Sequence, residues 1–365
     1  MTEIYRADQV GSLLRPPELL EARAAHEDGR LDADRLRAAE DRAILDVLAM
    51  QREVGIDVFM DGELRRRSWL SDMAEAVEGF VGHRSVLHWR GPGGGPEHTT
   101  ARMVGSKLRP TRHLTSRELP FLQQYAPGPI KMTIPAPSNF MVVGYKKGVS
   151  DQAYPTRSEF AQAVAAIVRD EIQWLIDAGV PYIQLDAPFY SVWVDSESRE
   201  RMRASGVDPD QSLAEAVAAD RLCLEGMARP GLTLAMHVCR GNSRGRWIAE
   251  GGYEPIAEPL FGGLPLDAWL LEYDSERAGG FEPLRHVQPN AAVVLGLVTT
   301  KEPALESQDD LKRRIDEASR YVPLERLALS PQCGFASVAA GNAITEDEQR
   351  RKLELVVKTA RAVWG

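Results

Sequence analysis

Short apolar runs rich in β-branched residues alternate with amphipathic helical stretches along nearly the whole chain, and this alternation restricts the fold more than any other feature. Strands are expected at 5–10, 58–61, 130–135, 182–186, 233–238, 269–272, 293–298 and 327–330. The clearest helices between and after them cover 34–54, 157–178, 211–227, 309–320 and 346–363. The last begins at Thr345-x-x-Glu348, where a threonine and a glutamate three residues on can each satisfy a free backbone N–H. Strands that alternate with helices imply βαβ units and a parallel sheet. Eight of them in 365 residues give an α/β fold, a (β/α)8 TIM barrel formed as a single domain over 1–365. An open doubly wound sheet is the structural rival, but no G-x-G-x-x-G follows the first strand.

Two segments break the rhythm. Residues 80–127 contain Gly91-Pro-Gly-Gly-Gly95 among scattered Arg, His and Thr, and read as an excursion at the barrel mouth. Residues 196–220 add a charged helical piece after the fourth strand. Loops that follow barrel strands carry selectivity, so both segments are either parts of a lid or plain surface insertions. There are no internal repeats and no low-complexity tracts.

The charge balance excludes some partners. A formal net charge of −9 argues against nucleic acid and anionic membranes, which call for basic patches. No stretch approaches the roughly 20 apolar residues that span a bilayer, and the N-terminus lacks the order of a signal peptide, so a cytoplasmic location is expected. Three cysteines, Cys223, Cys239 and Cys333, are too few and too odd in number for a disulfide framework. Cys223 sits in a helical stretch and reads as a small buried apolar residue.

The other two fall at informative places. His237-Val-Cys239 closes the fifth expected strand, Glu272 closes the sixth and Cys333 follows the eighth. Residues two apart on a strand share a face, so His237 and Cys239 can meet one ion. Barrel active sites form at the C-terminal strand ends, where all four residues lie. One nitrogen, two sulfurs and a carboxylate suit zinc, while thiolates disfavour magnesium and calcium. Against this, a lone His or Cys near a strand end is more often a core residue than a ligand. The spacing matches no zinc-finger pattern either, and no C-x-x-C is present.

The chain resembles the catalytic barrel of cobalamin-independent methionine synthase, and more closely its short stand-alone relatives. The likeness is carried by Arg6-Ala-Asp-Gln-Val-Gly-Ser12, Asp61-Gly-Glu63, Gln184-Leu-Asp186, His237-Val-Cys239, Leu271-Glu272 and Ser330-Pro-Gln-Cys-Gly334. The resemblance implies that His237, Cys239, Glu272 and Cys333 bind zinc. It also implies that Ser12 holds the carboxylate of homocysteine and that Glu63 and Asp186 grip its ammonium group. A zwitterionic amino acid does need a donor at one end and anions at the other. Uroporphyrinogen-decarboxylase-like barrels share the architecture without the metal, and the H-x-C, Glu and Cys set fits them poorly.

Departures bear on the donor. Where the family has a proton-moving histidine after the seventh strand, this chain has Lys301 in Gly296-Leu-Val-Thr-Thr-Lys301. Lys301, a water and His286 are all open as the proton-handling group. The aromatic residue that stacks on folate is missing from Met132-Thr-Ile-Pro-Ala-Pro-Ser138, and so is the N-terminal half of the full-length enzymes. The leading expectation is a zinc-dependent S-methyltransferase. Its small-molecule thiol, homocysteine, attacks as a thiolate on a methyl donor of the methyltetrahydrofolate type or another. Glu272 is the ligand expected to loosen. The alternatives are a thiol alkyltransferase that opens an epoxide, as epoxyalkane:coenzyme M transferases do, and a zinc-stabilised binding barrel without catalysis. The sequence leaves the oligomeric state open.

Overall fold

The computed structural model describes residues 3–365. An antiparallel hairpin, β1 (Val77–Trp89) and β2 (Gly95–Pro110), precedes six parallel strands. These are β3 (Lys131–Pro135), β4 (Tyr182–Asp186), β5 (Thr233–Val238), β6 (Ala268–Glu272), β7 (Ala292–Val298) and β8 (Leu327–Pro331), paired in sequence order. Two extended segments close the ring. Ala7 pairs in parallel with Leu329 of β8, and Phe59 pairs with Ile130 beside β3. The Asp57 N–H donates to the Ala7 carbonyl at 3.1 Å, joining the two segments to each other. The barrel is therefore eightfold, as expected.

The first two expected strands, 5–10 and 58–61, differ from the rest in forming single bridges. Side chains there take over ladder bonds. Gln51 both donates to the Met60 carbonyl at 2.8 Å and accepts from the Met60 N–H at 3.0 Å, and Asp57 accepts from Ala7 N at 2.9 Å. The backbone is satisfied without a continuous strand partner.

Period-two alternation sorts the strand residues into two cores. Tyr182, Ala235, Ala268, Leu270, Ala292, Val294 and Ala328 fill the barrel interior with Tyr5, Val10 and Val58. Their neighbours, among them Ile183, Met236, Trp269, Val293 and Leu329, face outward beneath the helices. Those helices are amphipathic and well capped. Ala33–Val54 starts on Asp32, whose carboxylate accepts from Arg35 N at 2.8 Å, and it ends at Gly55, whose φ of 87° suits a residue without a Cβ. Glu346–Trp364 carries the expected capping box, with Glu348 N donating to Thr345 Oγ1 at 3.2 Å and Thr345 N donating to Glu348 at 2.7 Å. Such caps contribute about 1 kcal/mol each.

The excursion expected at 80–127 starts earlier, at Val77, and its hairpin ends at Pro110; a short helix, Leu119–Tyr125, follows. Gly91 and Gly93 turn the hairpin with φ of 87° and 64°. At its tip Arg90 pairs with Asp195 at 2.8 Å and Glu197 at 2.7 Å, and its N–H donates to the Trp247 carbonyl at 2.7 Å. Ser85, Leu87 and Trp89 alternate with exposed residues, so one face of β1 turns toward the barrel mouth. After β4 the chain forms the helices Ser196–Ala204 and Pro209–Leu224. Among the described residues no helix is long and apolar enough to cross a membrane.

Candidate metal centre and substrate cavity

On three of the strands the inward-facing row ends in polar residues. Above Ala235 on β5 comes His237, then Cys239; above Tyr182 on β4 come Gln184 and Asp186; above Leu270 on β6 comes Glu272. Asp186 and His237 are register partners on adjacent strands. The fold thus delivers these groups to one end of the barrel by alternation alone.

His237, Cys239 and Cys333 form a buried group whose ligand atoms all lie within 4.8 Å of one another. The two sulfurs are 4.0 Å apart. Tetrahedral zinc with Zn–S bonds of about 2.3 Å separates two sulfurs by about 3.8 Å, so the spacing fits. His237 Nδ1 lies 3.3 Å from the Leu270 carbonyl, which can only accept, so this nitrogen carries the proton. Nε2 is then a lone pair, buried and without a hydrogen-bond partner. A metal-ligating histidine is held this way, its other nitrogen donating to a carbonyl or carboxylate. The contact between the sulfurs polarises the pair. It lowers the Cys333 thiol well below its ordinary range, aided by His237 and Lys301 and opposed by burial. The same contact, together with burial, raises Cys239 well above that range.

Glu272 stands outside this group. One carboxylate oxygen accepts from Arg277 Nε at 3.1 Å and Nη2 at 2.9 Å; the other accepts from Arg240 N at 2.7 Å and Gln332 Nε2 at 3.2 Å. Burial opposes its charge, yet Lys301, Arg240 and Arg277 together bring its pKa down to about 2. Lys301 does not line the cavity. Its Nζ is buried without a hydrogen-bond partner, and its charge acts on Cys239, Cys333, Glu272 and Asp274. His286 lies in the short 3-10 turn Glu282–His286, also outside the cavity lining.

Ser12, Glu63 and Asp186 do share one cavity with His237, Cys239 and Cys333, a space of about 820 Å³. Glu63 adopts a left-handed backbone with φ of 57°, stabilised by its N–H donating to Asp61 Oδ1 at 2.9 Å. Such a conformation costs about 1–3 kcal/mol and persists only where its surroundings impose it. It aims the side chain inward. Oε1 accepts from Thr133 Oγ1 at 3.0 Å and lies 3.6 Å from Arg66, while Oε2 is buried without a partner. Asp186 accepts from Gln184 Nε2 at 2.7 Å. Burial first, and Glu63 second, raise its pKa to about 7. Burial raises Glu63 as well, against Arg66 and Thr133, and its unpartnered Oε2 leaves an acceptor in place for a cation.

Several residues of this site escaped the sequence reading. Trp69 and Phe189 form a tilted pair 5.9 Å apart in the cavity wall, and Trp89 joins them from the hairpin. Aromatic surface is thus present; the stretch 132–138 supplies none of it, but Phe140, in the helix Pro137–Val143 that follows β3, also lines the cavity. Arg66, fully buried, gathers Asp72, Glu118 at 3.5 Å and Glu63, and donates to both the hydroxyl and the carbonyl of Thr133 at 2.9 Å. Burial, with Asp72 beside it, pushes Glu118 up to about 8. The run Arg65-Arg66-Arg67, one residue past Glu63, was the available signal; period and spacing do not say which of three arginines turns inward.

Residues 6–361 match the family model for the cobalamin-independent synthase catalytic domain. The chain belongs to that family. Within it, a 40% identical relative is the uncharacterized protein YxjH of Bacillus subtilis, the match covering 99% of this chain and 95% of that protein. A 5-methyltetrahydropteroyltriglutamate–homocysteine methyltransferase of Mycolicibacterium paratuberculosis is 26% identical over 89% of this chain, which spans only 39% of that enzyme's length. Among solved structures, a Listeria monocytogenes chain provisionally described as a vitamin-B12-independent methionine synthase superposes with a TM-score of 0.79 at 30% identity, covering 100% of this chain and 99% of its own. A B12-independent methionine synthase from Shewanella, in complex with selenomethionine, shares the fold at a TM-score of 0.73 and 19% identity, covering 97% of this chain and 96% of its own. The fold is the TIM barrel of this synthase family, and the family's chemistry is methyl transfer between small molecules.

Proposed function

We propose that the chain is a zinc-dependent S-methyltransferase that carries a methyl group from a small-molecule donor to the sulfur of homocysteine, giving methionine. One observation carries the reading: the buried His237, Cys239 and Cys333 ligand atoms converge at the floor of a cavity whose wall also holds Ser12, Glu63 and Asp186. His237, Cys239 and Cys333 would hold the ion, with Glu272 at the end of β6 as the fourth ligand that the family likeness implies. Bound there, zinc would stabilise an incoming thiol as its thiolate at neutral pH, where a free thiol with a pKa near 8.5 is mostly protonated.

The protein's own groups do the rest. Glu63 Oε2, unpartnered, and Asp186 take the substrate ammonium, whose charge relieves their mutual repulsion. Ser12 offers its hydroxyl to the carboxylate. The hairpin face of Ser85, Leu87 and Trp89, with Trp69 and Phe189, walls the cavity on the side where a methyl donor must approach and limits water there.

The test is a homocysteine methylation assay on zinc-loaded and metal-stripped protein, with a thiol–epoxide assay run in parallel. Zinc-dependent methionine formation supports the proposal. Full activity without metal overturns the zinc role, and epoxide opening without methylation reassigns the electrophile.

A further inference from the structure

The two carboxylate oxygens of Glu63 meet different surroundings. Oε2 is buried without a partner in a residue that lines the cavity, while Oε1 accepts from Thr133 Oγ1 at 3.0 Å. Gly11 confines the same oxygen: a Cβ built there would stand 2.8 Å from Oε1 and 3.4 Å from the Thr133 methyl. Thr133 is only 2% exposed and does not line the cavity. It sits on β3 between Met132 and Ile134, which pack outward beneath the helices, so its own side chain turns to the barrel interior. A residue so placed acts on a molecule in the cavity only through Glu63.

The direction of its hydroxyl is fixed from behind. Arg66 Nη1 donates to Thr133 Oγ1 and Nη2 to the Thr133 carbonyl, both at 2.9 Å. A guanidinium has no acceptor, so the hydroxyl proton is left for Glu63 Oε1. Arg66 is buried and is held in turn by Asp72 and by Glu118 at 3.5 Å. Its charge also reaches Oε1 directly, at 3.6 Å, and both it and the Thr133 hydroxyl favour the ionised carboxylate.

We propose that Thr133 is a positioning residue for substrate selection: its hydroxyl, set by Arg66, pins one Glu63 oxygen and keeps the other aimed at the ammonium group of an α-amino thiol. The inference rests on the homocysteine reading above. It adds which side chain makes the site prefer that thiol to one without an amino group. A carboxylate left to turn about its last torsion presents no fixed acceptor, and ordering it on binding costs affinity.

The experiment titrates the zinc-loaded protein calorimetrically with homocysteine and with γ-mercaptobutyrate, the same thiol without its amino group. Wild type is expected to favour homocysteine. Thr133→Val keeps the shape and removes the hydroxyl. It should weaken homocysteine about 10–100-fold, as losing a hydrogen bond to a charged group does, and leave γ-mercaptobutyrate unchanged. Thr133→Ala should behave alike, and Thr133→Ser should restore homocysteine binding. In a Glu63→Ala background the loss should vanish, because the carboxylate through which Thr133 acts is gone. Thr133→Val binding homocysteine as tightly as wild type, or weakening both thiols equally, overturns the role of Thr133 and leaves the proposed function standing. An undiminished loss in the Glu63→Ala background has the same consequence. Wild type that binds neither thiol, or both with equal affinity, overturns the homocysteine reading and this inference with it.

Discussion

Gly334 lies so close to Ser12 that a Cβ built on it would stand 2.0 Å from the serine hydroxyl oxygen and 2.9 Å from the serine nitrogen. Phe335 N donates to the Ser12 carbonyl at 2.7 Å and Ala336 N to its hydroxyl at 3.3 Å. The loop that carries Cys333 is thereby locked to the segment that carries Ser12. Gly334→Ala forces the two apart and is expected to cost about 1–3 kcal/mol, as other overpacked sites do. Urea melts measure that loss. Methylation kinetics should show a raised KM for homocysteine, and a wild-type KM would mean that Ser12 does not contact the substrate.

The cysteines make an internal control. Cys239→Ser and Cys333→Ser should each abolish stoichiometric zinc after dialysis, measured by elemental analysis. Cys223→Ser should retain it, because Cys223 is buried in the helix Pro209–Leu224, where it donates to the Asp220 carbonyl at 3.1 Å. Equal zinc in all three variants would contradict the assignment of the ligand atoms.

Asp186 sets a pH dependence. Burial, then Glu63, lift its pKa to about 7, against an ordinary unfolded value of about 3.9. The native state holds the proton more tightly, so the stability contribution present below about pH 4 is lost as pH rises toward about 7. Asp186→Asn removes the charge and keeps the shape. In melts of metal-free protein its stability relative to wild type should climb across that window and then level off. A difference between the two proteins that stays constant from pH 4 to 8 would show that the carboxyl titrates normally.

Trp89 reports on the donor side. Its indole N–H is buried without a partner at the cavity wall, on a hairpin far in sequence from every proposed ligand. Trp89→Ala should leave zinc content unchanged and raise KM for the methyl donor more than KM for homocysteine. The opposite ranking would place the donor elsewhere.

The barrel was legible because its signal is periodic. The expected strands at 182–186 and 233–238 coincide with β4 and β5, and the others from β3 to β8 agree within a residue or so. His237, Cys239 and Cys333 stood out because such residues are rare at strand ends. The partners of Glu272 did not. Arg240 and Arg277 sit in a chain where 27% of residues are charged, and nothing in the spacing separates a buried guanidinium from a solvated one. Their burial depends on Gly251, Tyr253 and Trp247 arriving from other loops, a tertiary fact. The helix Pro17–Glu27 was missed for a related reason: it buries only Leu19, so its sequence carries almost no helical stripe.

On β5, Ala235 points into the barrel, Met236 out beneath the helices and His237 in again, so the imidazole reaches the cavity by strand parity. Removing one residue between positions 233 and 236 would leave the hydrophobic run nearly as apolar as before, yet it would put Val238 where His237 stands and turn Cys239 off the inward face with it. The shell would still assemble around an inert floor. Descendants of such a chain could keep the architecture and lose the reaction in a single step, without any change to the residues that perform it.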